Sequence, residues 1–276
     1  MARTRVGEHD GETRPALDAA TVIVVRDGDE GLELLVQERH VETDFVGGAL
    51  VFPGGRVEDS DRDLDPALWT GGDPAETGER FGTDKRGGLG LLVAAARESF
   101  EEAGVLFAVD ADGEPVDGAL LAEPDVAEAR AALAARDDRG DLAALLRDRG
   151  LRLALGAYHP FAWWVTPDGM HRRYDTRFFV AAVPPGQEDT ATSDHVETTS
   201  ARWLSPAACL DGHESGRFTV IFPTRKVLGE LADHATVADL LDAVADRTPD
   251  RIQPTIVEVD GQVMVQHPHG GPPEIP

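Results

Sequence analysis

A short acidic run with helical spacing constrains this chain more than any other feature. Glu98, Glu101 and Glu102 fall within an arc of about 100° when the residues are placed on an α-helix. The opposite side of the same helix carries four apolar residues, which are Leu92, Ala96, Phe100 and Ala103. Residues 89–103 are therefore predicted to form an amphipathic helix that ends at Gly104 and turns its acidic face away from the core.

Carboxylates that share one helix face favour a bound cation. At a separation of about 6 Å, each pair repels by roughly 2–3 kcal/mol at an effective dielectric near 20. Arg97, which is four residues before Glu101, relieves part of this repulsion, and Mg²⁺ or Mn²⁺ suits a set of oxygen ligands. The triplet alone leaves open the alternative of an ordinary solvent-exposed acidic helix.

A glycine turn precedes the acidic helix in the sequence. An apolar run at residues 49–52 ends in Pro53-Gly54-Gly55, and glycines allow a tight turn and the close approach of a backbone to a ligand. Together, this turn and the run from Arg97 to Gly104 resemble the Nudix box, in which a glycine and a spaced glutamate precede Arg-Glu-apolar-any-Glu-Glu-any-Gly. The resemblance implies an α/β fold, a Nudix-type α/β/α sandwich with a central mixed sheet, plus helical and C-terminal extensions.

The sequence departs from the plain Nudix box in three ways. Asp61 stands where the box has glutamate, Ser99 stands where it has an apolar residue, and the two halves of the box are much further apart. Residues 62–88 form an insertion whose content of glycine, aspartate and threonine predicts a surface loop. The interrupted box is similar to that of the acyl-CoA diphosphatase branch, and so are the runs at residues 160–167, 173–181, 203–206 and 222–224.

The resemblance also implies roles for individual residues. The metal-binding positions of the family match Glu98, Glu101, Glu102 and Gly55, and the divalent cation is expected to be Mg²⁺ or Mn²⁺. The expected catalytic residues are Glu98, Glu101 and Glu197, with Arg97 bracing the acidic helix. Glu197 precedes Trp203 at a place where the family often has a further ligand or base, and Asp194 competes with it for this place.

Four arginines are candidates for contact with substrate: Arg39, Arg56, Arg173 and Arg177. An acidic protein that binds a polyanionic diphosphate needs local positive charge, and residues 171–177 contain the densest basic cluster. Arg39 ends a run at residues 35–39 that loosely matches the CoA-specific signature of other family members. Arg177 shares one face of a predicted strand with Asp175, so an ion pair of Arg177 with Asp175 or another acid is the alternative to phosphate binding.

Four aromatic residues are potential stacking partners for an adenine, namely Trp163, Trp164, Tyr174 and Phe222. Aromatic residues in such runs more often belong to a core, which is the alternative.

Composition narrows the class of protein. The net charge of −25 argues against general affinity for nucleic acid or an anionic membrane. Cys209 is the single cysteine, which excludes a disulfide framework and favours a reducing cytoplasm. No apolar run reaches membrane-spanning length, so we expect a cytoplasmic protein. Its expected partner is a small-molecule substrate, and a homodimer is an open alternative.

Hydrophobic patterning predicts one catalytic domain with extensions. Residues 1–18 are expected to be a flexible N-terminal segment, residues 19–247 the Nudix domain, and residues 248–276 a C-terminal extension. Alanine-rich and leucine-rich helices at residues 125–136 and 141–149 are expected to pack as a surface hairpin, with a cap over the cleft as the alternative.

The resemblance implies a metal-dependent hydrolase that cleaves the diphosphate of a nucleotide conjugate. CoA or acyl-CoA is the leading substrate, giving 3′,5′-ADP and a phosphopantetheine product. The alternative substrates are ADP-ribose, NAD(H) or a dinucleoside polyphosphate. A non-catalytic ligand-binding module on the same fold is a further alternative, because Asp61 and the insertion alter the box.

Overall fold

A largely buried strand, β1, lies in the middle of the central sheet of the computed structural model, which describes residues 14–40, 48–135, 140–194, 196 and 198–276. The strands in chain order are β1 (Leu17–Gly28), β2 (Gly31–Arg39), β3 (Leu50–Val51), β4 (Gly54–Arg56), β5 (Trp69–Thr70), β6 (Ala108–Val109), β7 (Arg152–Ala154), β8 (His159–Val165), β9 (Tyr174–Ala182), β10 (Thr198–Leu204), β11 (Arg251–Ile252), β12 (Thr255–Val259) and β13 (Gln262–Gln266). The central sheet has the order β10-β2-β1-β9-β8-β11, with β3 paired to β2 and β4 paired to β1.

The central sheet is mixed. β1 runs parallel to β9 and β11 runs parallel to β8, whereas the other neighbouring strands are antiparallel. Two smaller sheets lie outside it, with the orders β5-β7-β6 and β12-β13. β1 and β2 form one hairpin, and β12 and β13 form a second hairpin around Asp260 and Gly261.

Helices cover both faces of the central sheet. In chain order they are α1 (Asp59–Arg62), α2 (Pro74–Arg80), α3 (Lys85–Ala103), α4 (Gly118–Leu121), α5 (Pro124–Ala134), α6 (Leu142–Arg149), α7 (Pro206–Glu214), α8 (Phe222–Leu231) and α9 (Val237–Val244), with 3₁₀ turns at Pro66–Leu68 and Leu155–Ala157.

Alternate residues of β1 point into two separate cores. Val22 and Val24 pack in the core that contains α3, whereas Ile23 and Val25 pack in the core that contains α8 and α9. This period of two is what a strand buried on both faces requires. The result is a three-layer α/β/α sandwich, which confirms the predicted fold class.

The insertion in the box is a folded part of the protein, so the prediction of a surface loop is wrong. It contains α2 and β5, and α3 begins at Lys85 within it. Phe81 is fully buried. The glycines serve close packing between helices, because a methyl group at Gly88 would lie 2.0 Å from the carbonyl oxygen of Pro74.

The ends of the predicted domain also differ from the sequence boundaries. β1 begins at Leu17, inside the predicted N-terminal segment. The predicted C-terminal extension contributes β11 to the central sheet, where Arg251 pairs with Trp163. Helices α5 and α6 pack against each other, and α5 packs on α3, as a surface hairpin does.

A substitution at Gly88 of α3 tests the role of glycine where α2 packs on α3. Gly88→Ala is expected to destabilise the protein by about 1–3 kcal/mol, because the added methyl group overlaps a backbone carbonyl that cannot move alone. Gly229→Ala in α8 is the matched control, because no atom lies within 4 Å of its added methyl group. The control is expected to stabilise the protein by about 0.5–1 kcal/mol. Urea unfolding measures both, and equal effects of the two substitutions would contradict this account.

Candidate active site

A cleft of about 580 Å³ opens between β4, α3 and the start of β9. Five carboxylates line it, which are Glu58, Asp59, Glu98, Glu101 and Glu102. Two arginines, Arg39 and Arg56, lie in the same wall. The cleft therefore combines a concentrated negative charge with two cationic side chains.

Helix α3 carries three of these carboxylates and is fixed at both ends. The side chain of Asp84 accepts a hydrogen bond from the backbone N–H of Gly87 at the N-terminus, and Gly104 adopts a left-handed conformation with φ of 70° at the C-terminus. Glu98 and Glu102 are only 7% and 4% exposed. The acidic face is thus covered by neighbouring elements, contrary to the prediction that it turns away from the core, because β4 packs over it.

A second support for α3 comes from Arg130 of α5. Its Nε donates to the carbonyl oxygen of Phe100 at 2.9 Å, and its Nη2 donates to the carbonyl oxygens of Glu102 and Thr192 at 3.0 and 2.8 Å. A guanidinium at this end of a helix satisfies carbonyls that have no partner within the helix. Arg130 was not predicted, because nothing in the sequence of an alanine-rich helix distinguishes an arginine that contacts the C-terminal end of another helix.

The side chain of Arg97 connects the two halves of the box. Its Nη1 donates to Glu98 Oε1 at 2.7 Å and to Glu101 Oε2 at 3.3 Å. Its Nε and Nη2 donate to the two carboxylate oxygens of Asp61 at 3.1 and 3.0 Å, and Nη2 also reaches the carbonyl oxygen of Arg56. Burial lowers the pKa of Arg97, but Glu98 and Asp61 more than offset this effect, so its pKa is raised and it stays charged.

Asp61 therefore occupies a defined place despite its departure from the usual glutamate. It is 2% exposed, and its Oδ2 accepts a hydrogen bond from the backbone N–H of Glu58 at 2.8 Å, within the capping box of α1. Burial raises the pKa of the Asp61 carboxyl, and the bidentate contact with Arg97 opposes this increase. Because α1 brings the backbone close to Arg97, the shorter side chain still reaches the guanidinium.

Gly54 and Gly55 lie in β4 rather than in the predicted tight turn, and β4 fits closely against the acidic helix. The backbone N–H of Gly54 donates to Glu102 Oε2 at 2.9 Å. A methyl group at Gly55 would lie 2.2 Å from Glu98 Oε1, so a side chain there would collide with the carboxylate. The group that the backbone of Gly55 approaches closely is therefore the carboxylate of Glu98.

The buried part of the site has an excess of negative charge. Asp61, Glu98 and Glu101 contact the guanidinium of Arg97, and Glu102 contacts the backbone N–H of Gly54. In the portion of the chain that the structure describes, no three acidic, histidine or cysteine side chains are grouped around one ion position. The carboxylates contact Arg97 and Gly54 instead, but an oxygen-only donor set of this charge fits a hard divalent cation in its chemistry.

The four candidate arginines separate into two pairs. Arg39 and Arg56 line the cleft, whereas Arg173 and Arg177 do not. On β9 it is Thr176 and Phe178 that line the cleft, and alternation along the strand turns Arg177 to the other face.

Arg173 and Arg177 make structural ion pairs, so their prediction as substrate contacts is corrected. Arg177 Nη1 lies 2.6 Å from Asp18 Oδ1 and 3.1 Å from Asp175 Oδ1, which is the alternative that the sequence left open. Arg173 Nη2 lies 2.7 Å from Asp168 Oδ1, and its Nε donates to the carbonyl oxygens of Thr166 and Pro167. Arg173 thereby fixes the turn between β8 and β9.

The aromatic candidates also separate. Tyr174 lines the cleft, together with Phe52 and Phe178, which the sequence analysis did not single out. Trp164 packs edge to face on Phe222 with the ring centroids 5.7 Å apart, in the core that contains α8 and α9. The alternative of a core role therefore applies to those two residues.

Two further predictions concern the loop before β10. Glu197 lies outside the described residues. Its competitor Asp194 accepts hydrogen bonds from the backbone N–H groups of Val196 and Thr198 at 3.1 and 3.0 Å, and so stabilises the start of β10.

Cys209 is fully buried, and burial raises the pKa of its thiol to about 12, which makes it a poor nucleophile.

Comparison with known proteins places this chain in a family. A family model described as the NUDT19 Nudix domain matches residues 66–225. The chain belongs to the Nudix hydrolase family. Members of this family generally need divalent metals. In the described part of this Nudix protein, none of the helices combines the length and the apolar composition that crossing a membrane requires.

The relatives that this Nudix protein matches include acyl-coenzyme A diphosphatase NUDT19 from two vertebrates. The human protein is 29% identical over 245 residues, which are 76% of this chain and 63% of the relative. The Xenopus laevis protein is 24% identical over 244 residues, which are 78% of this chain and 64% of the relative. The chain thus spans less than two thirds of the length of these relatives.

Among solved structures, a NUDIX hydrolase from Alicyclobacillus acidocaldarius is similar in fold. It is 29% identical, with a TM-score of 0.69, over 83% of this chain and 96% of that chain. The similarity extends well beyond the Nudix box and supports the same three-layer architecture.

The contact between Asp61 and Arg97 predicts a large effect of a small change. Asp61→Asn is expected to destabilise the protein by about 3 kcal/mol, because it removes one charge of a buried pair. Asp63→Asn is the matched control, since Asp63 pairs with Arg86 at the surface and the same change there is expected to have little effect. Thermal and urea unfolding measure both variants. Equal stability of Asp61→Asn and the wild type would show that the buried pair does not support the site.

Proposed function

We propose that this chain is a divalent-metal-dependent diphosphatase that cleaves a nucleotide conjugate, with CoA or acyl-CoA as its leading substrate. The observation that carries the proposal is the carboxylate cluster of α3, which Arg97 connects to Asp61 and which contacts Gly54 of β4. The predicted metal-binding set of Glu98, Glu101, Glu102 and Gly55 lies together there. A cleft with this charge suits a cation and, through it, a polyanionic diphosphate.

Hydrolysis of a diphosphate requires little covalent chemistry from the protein. A water oxygen forms a bond to one phosphorus, the bond from that phosphorus to the bridging oxygen breaks, and the departing phosphate keeps the electron pair. In CoA this gives 3′,5′-ADP and phosphopantetheine. A bound Mg²⁺ or Mn²⁺ ion would neutralise the charge that develops on the phosphate oxygens.

The residues of the chain have separate tasks in this proposal. Glu98, Glu101 and Glu102 hold the cation, and a carboxylate that is not fully engaged there accepts the proton of the attacking water. Glu98, Glu101 and Glu197 are the candidates for this base. Arg97 acts as a positioning residue, because its hydrogen bonds go to carboxylates and to a backbone carbonyl.

Support for the cationic contacts comes from the same cleft. Arg39 and Arg56 line it, and each carries a planar fork of N–H groups that suits phosphate oxygens. Tyr174 offers an aromatic face to a base. Preference for CoA rests on the named relatives and on the similarity of the downstream runs.

The proposal is tested by product analysis on a substrate panel. The purified protein is incubated with Mg²⁺ or Mn²⁺ and CoA, acyl-CoAs, ADP-ribose, NADH or diadenosine polyphosphates. Release of 3′,5′-ADP from CoA is expected, and Glu102→Gln is expected to reduce the rate by about 10²-fold or more because it removes one metal-binding charge. Glu128→Gln on the exposed side of α5 is the control and is expected to keep the wild-type rate.

Each other outcome would change a different part of the proposal. Cleavage of ADP-ribose, NADH or a dinucleoside polyphosphate without cleavage of CoA would keep the chemistry and replace the substrate. Absence of turnover with every compound, combined with measurable binding of one of them, would favour the non-catalytic module.

A further inference from the structure

A second pocket adjoins the cleft. It also has a volume of about 580 Å³, and Ile221 lines both spaces. We call it the distal pocket, and its apolar lining consists of Val220, Ile221, Met264, Pro273, Ile275 and Pro276. A space of this size with mostly apolar walls is typical of small-molecule sites.

The segment that separates the two spaces is held in place on both sides. The carbonyl oxygen of Thr219 accepts a hydrogen bond from the N–H of Leu50 at 2.8 Å. The carbonyl oxygen of Val220 accepts one from Arg225 Nη1 at 2.7 Å. Thr224 follows on the cleft side and Arg225 on the side of the distal pocket. The first turn of α8 therefore forms a common border between cleft and pocket.

The outer wall of the distal pocket is also ordered by hydrogen bonds. Val265 and Glu274 exchange two backbone hydrogen bonds of 2.8 and 2.9 Å, and Arg225 Nη2 donates to the carbonyl oxygen of Ile275 at 2.7 Å. The side chain of Ile275 is nonetheless 67% exposed. An apolar side chain that is fixed by its backbone yet exposed at a pocket is available for contact with a ligand.

The charges at the distal pocket do not favour an anionic ligand. The carboxylate of Glu274 pairs with Lys226 and lies 3.5 Å from Arg225, so the two cations are already opposed by an acid. These contacts hold the pKa of Glu274 below its ordinary value, although burial acts in the opposite direction. A phosphate would have to compete with this carboxylate, whereas an aliphatic chain would not.

We propose that the distal pocket receives the acyl chain of an acyl-CoA. The inference rests on the proposed function, because it needs the diphosphate to occupy the neighbouring cleft. In acyl-CoA the diphosphate, the pantetheine arm and the acyl chain follow one another in a line, and the cleft, the border at Ile221 and the distal pocket have the same order. Met264 contributes a flexible side chain that adapts to chains of different length.

The proposal predicts a dependence of KM on chain length. Each methylene that enters the distal pocket is expected to lower KM by about fourfold, until the pocket is full. Acetyl-CoA, hexanoyl-CoA, octanoyl-CoA and lauroyl-CoA are compared with free CoA in steady-state assays. Wild-type protein is expected to show a kcat/KM for octanoyl-CoA that is at least tenfold that for free CoA.

Two variants test whether this preference belongs to the distal pocket. Met264→Trp fills it, and Ile275→Asp places a charge in its wall at a position too exposed to affect folding. Both are expected to reduce the ratio of kcat/KM for octanoyl-CoA to that for free CoA by at least tenfold. Val263→Trp is the matched control, because Val263 lies next to Met264 on β13, is 54% exposed and does not line the pocket.

The outcomes distinguish this inference from the proposed function. Loss of the preference in both pocket variants, with the preference intact in Val263→Trp, supports the acyl site. Cleavage of free CoA and acyl-CoAs with no dependence on chain length overturns the inference and leaves the diphosphatase intact, as does a preference that both pocket variants retain. Failure of the wild type to cleave any CoA compound overturns the proposed function and the acyl site with it.

Discussion

The guanidinium of Arg97 joins parts of the chain that the sequence holds far apart. Asp61 lies before the folded insertion and Glu98 lies after it, yet both accept hydrogen bonds from this one side chain. The entropy of closing a loop grows slowly with its length, so a long insertion is tolerated when its two ends are fixed by packing and by a buried ion pair. Removal of the Arg97 charge would leave Asp61 and Glu98 buried without the guanidinium that they share.

The same interaction determines the electrostatics of the cleft. One guanidinium opposes Asp61, Glu98, Glu101 and the nearby Glu102, so the site keeps an excess of negative charge after Arg97 has made its contacts. Gly55 allows the backbone to approach this charge more closely than any other residue would. Arg130 donates hydrogen bonds to the carbonyl groups at the C-terminal end of the same helix, which fixes the carboxylates beside Gly54 and Gly55 of β4.

The local pattern was sufficient to predict the acidic helix, because its apolar and acidic positions are near one another in sequence. The three-layer form of the fold followed from the resemblance to the Nudix family, and Gly54 and Gly55, which were expected in a tight turn, lie in β4. The face of β9 that lines the cleft was not predictable, since alternation defines two faces without saying which one carries the site, and Arg177, a candidate for substrate contact, lies on the face that does not line the cleft. The insertion was misjudged because glycines that permit close helix packing, such as Gly88, resemble those of a loop. Cytoplasmic location and the absence of nucleic-acid binding stay predictions from composition.

Activity as a metal-dependent diphosphatase requires that the α3 carboxylates bind a divalent cation. Titration of the substrate-free protein with Mn²⁺, followed by electron paramagnetic resonance of the free ion, measures this affinity without reference to any substrate. Wild-type protein is expected to bind Mn²⁺ at the cleft, and Glu98→Gln is expected to weaken this binding by tenfold or more, whereas Glu128→Gln on the surface of α5 leaves it unchanged. Equal binding by the wild type and Glu98→Gln would contradict the assignment of the metal site to this helix.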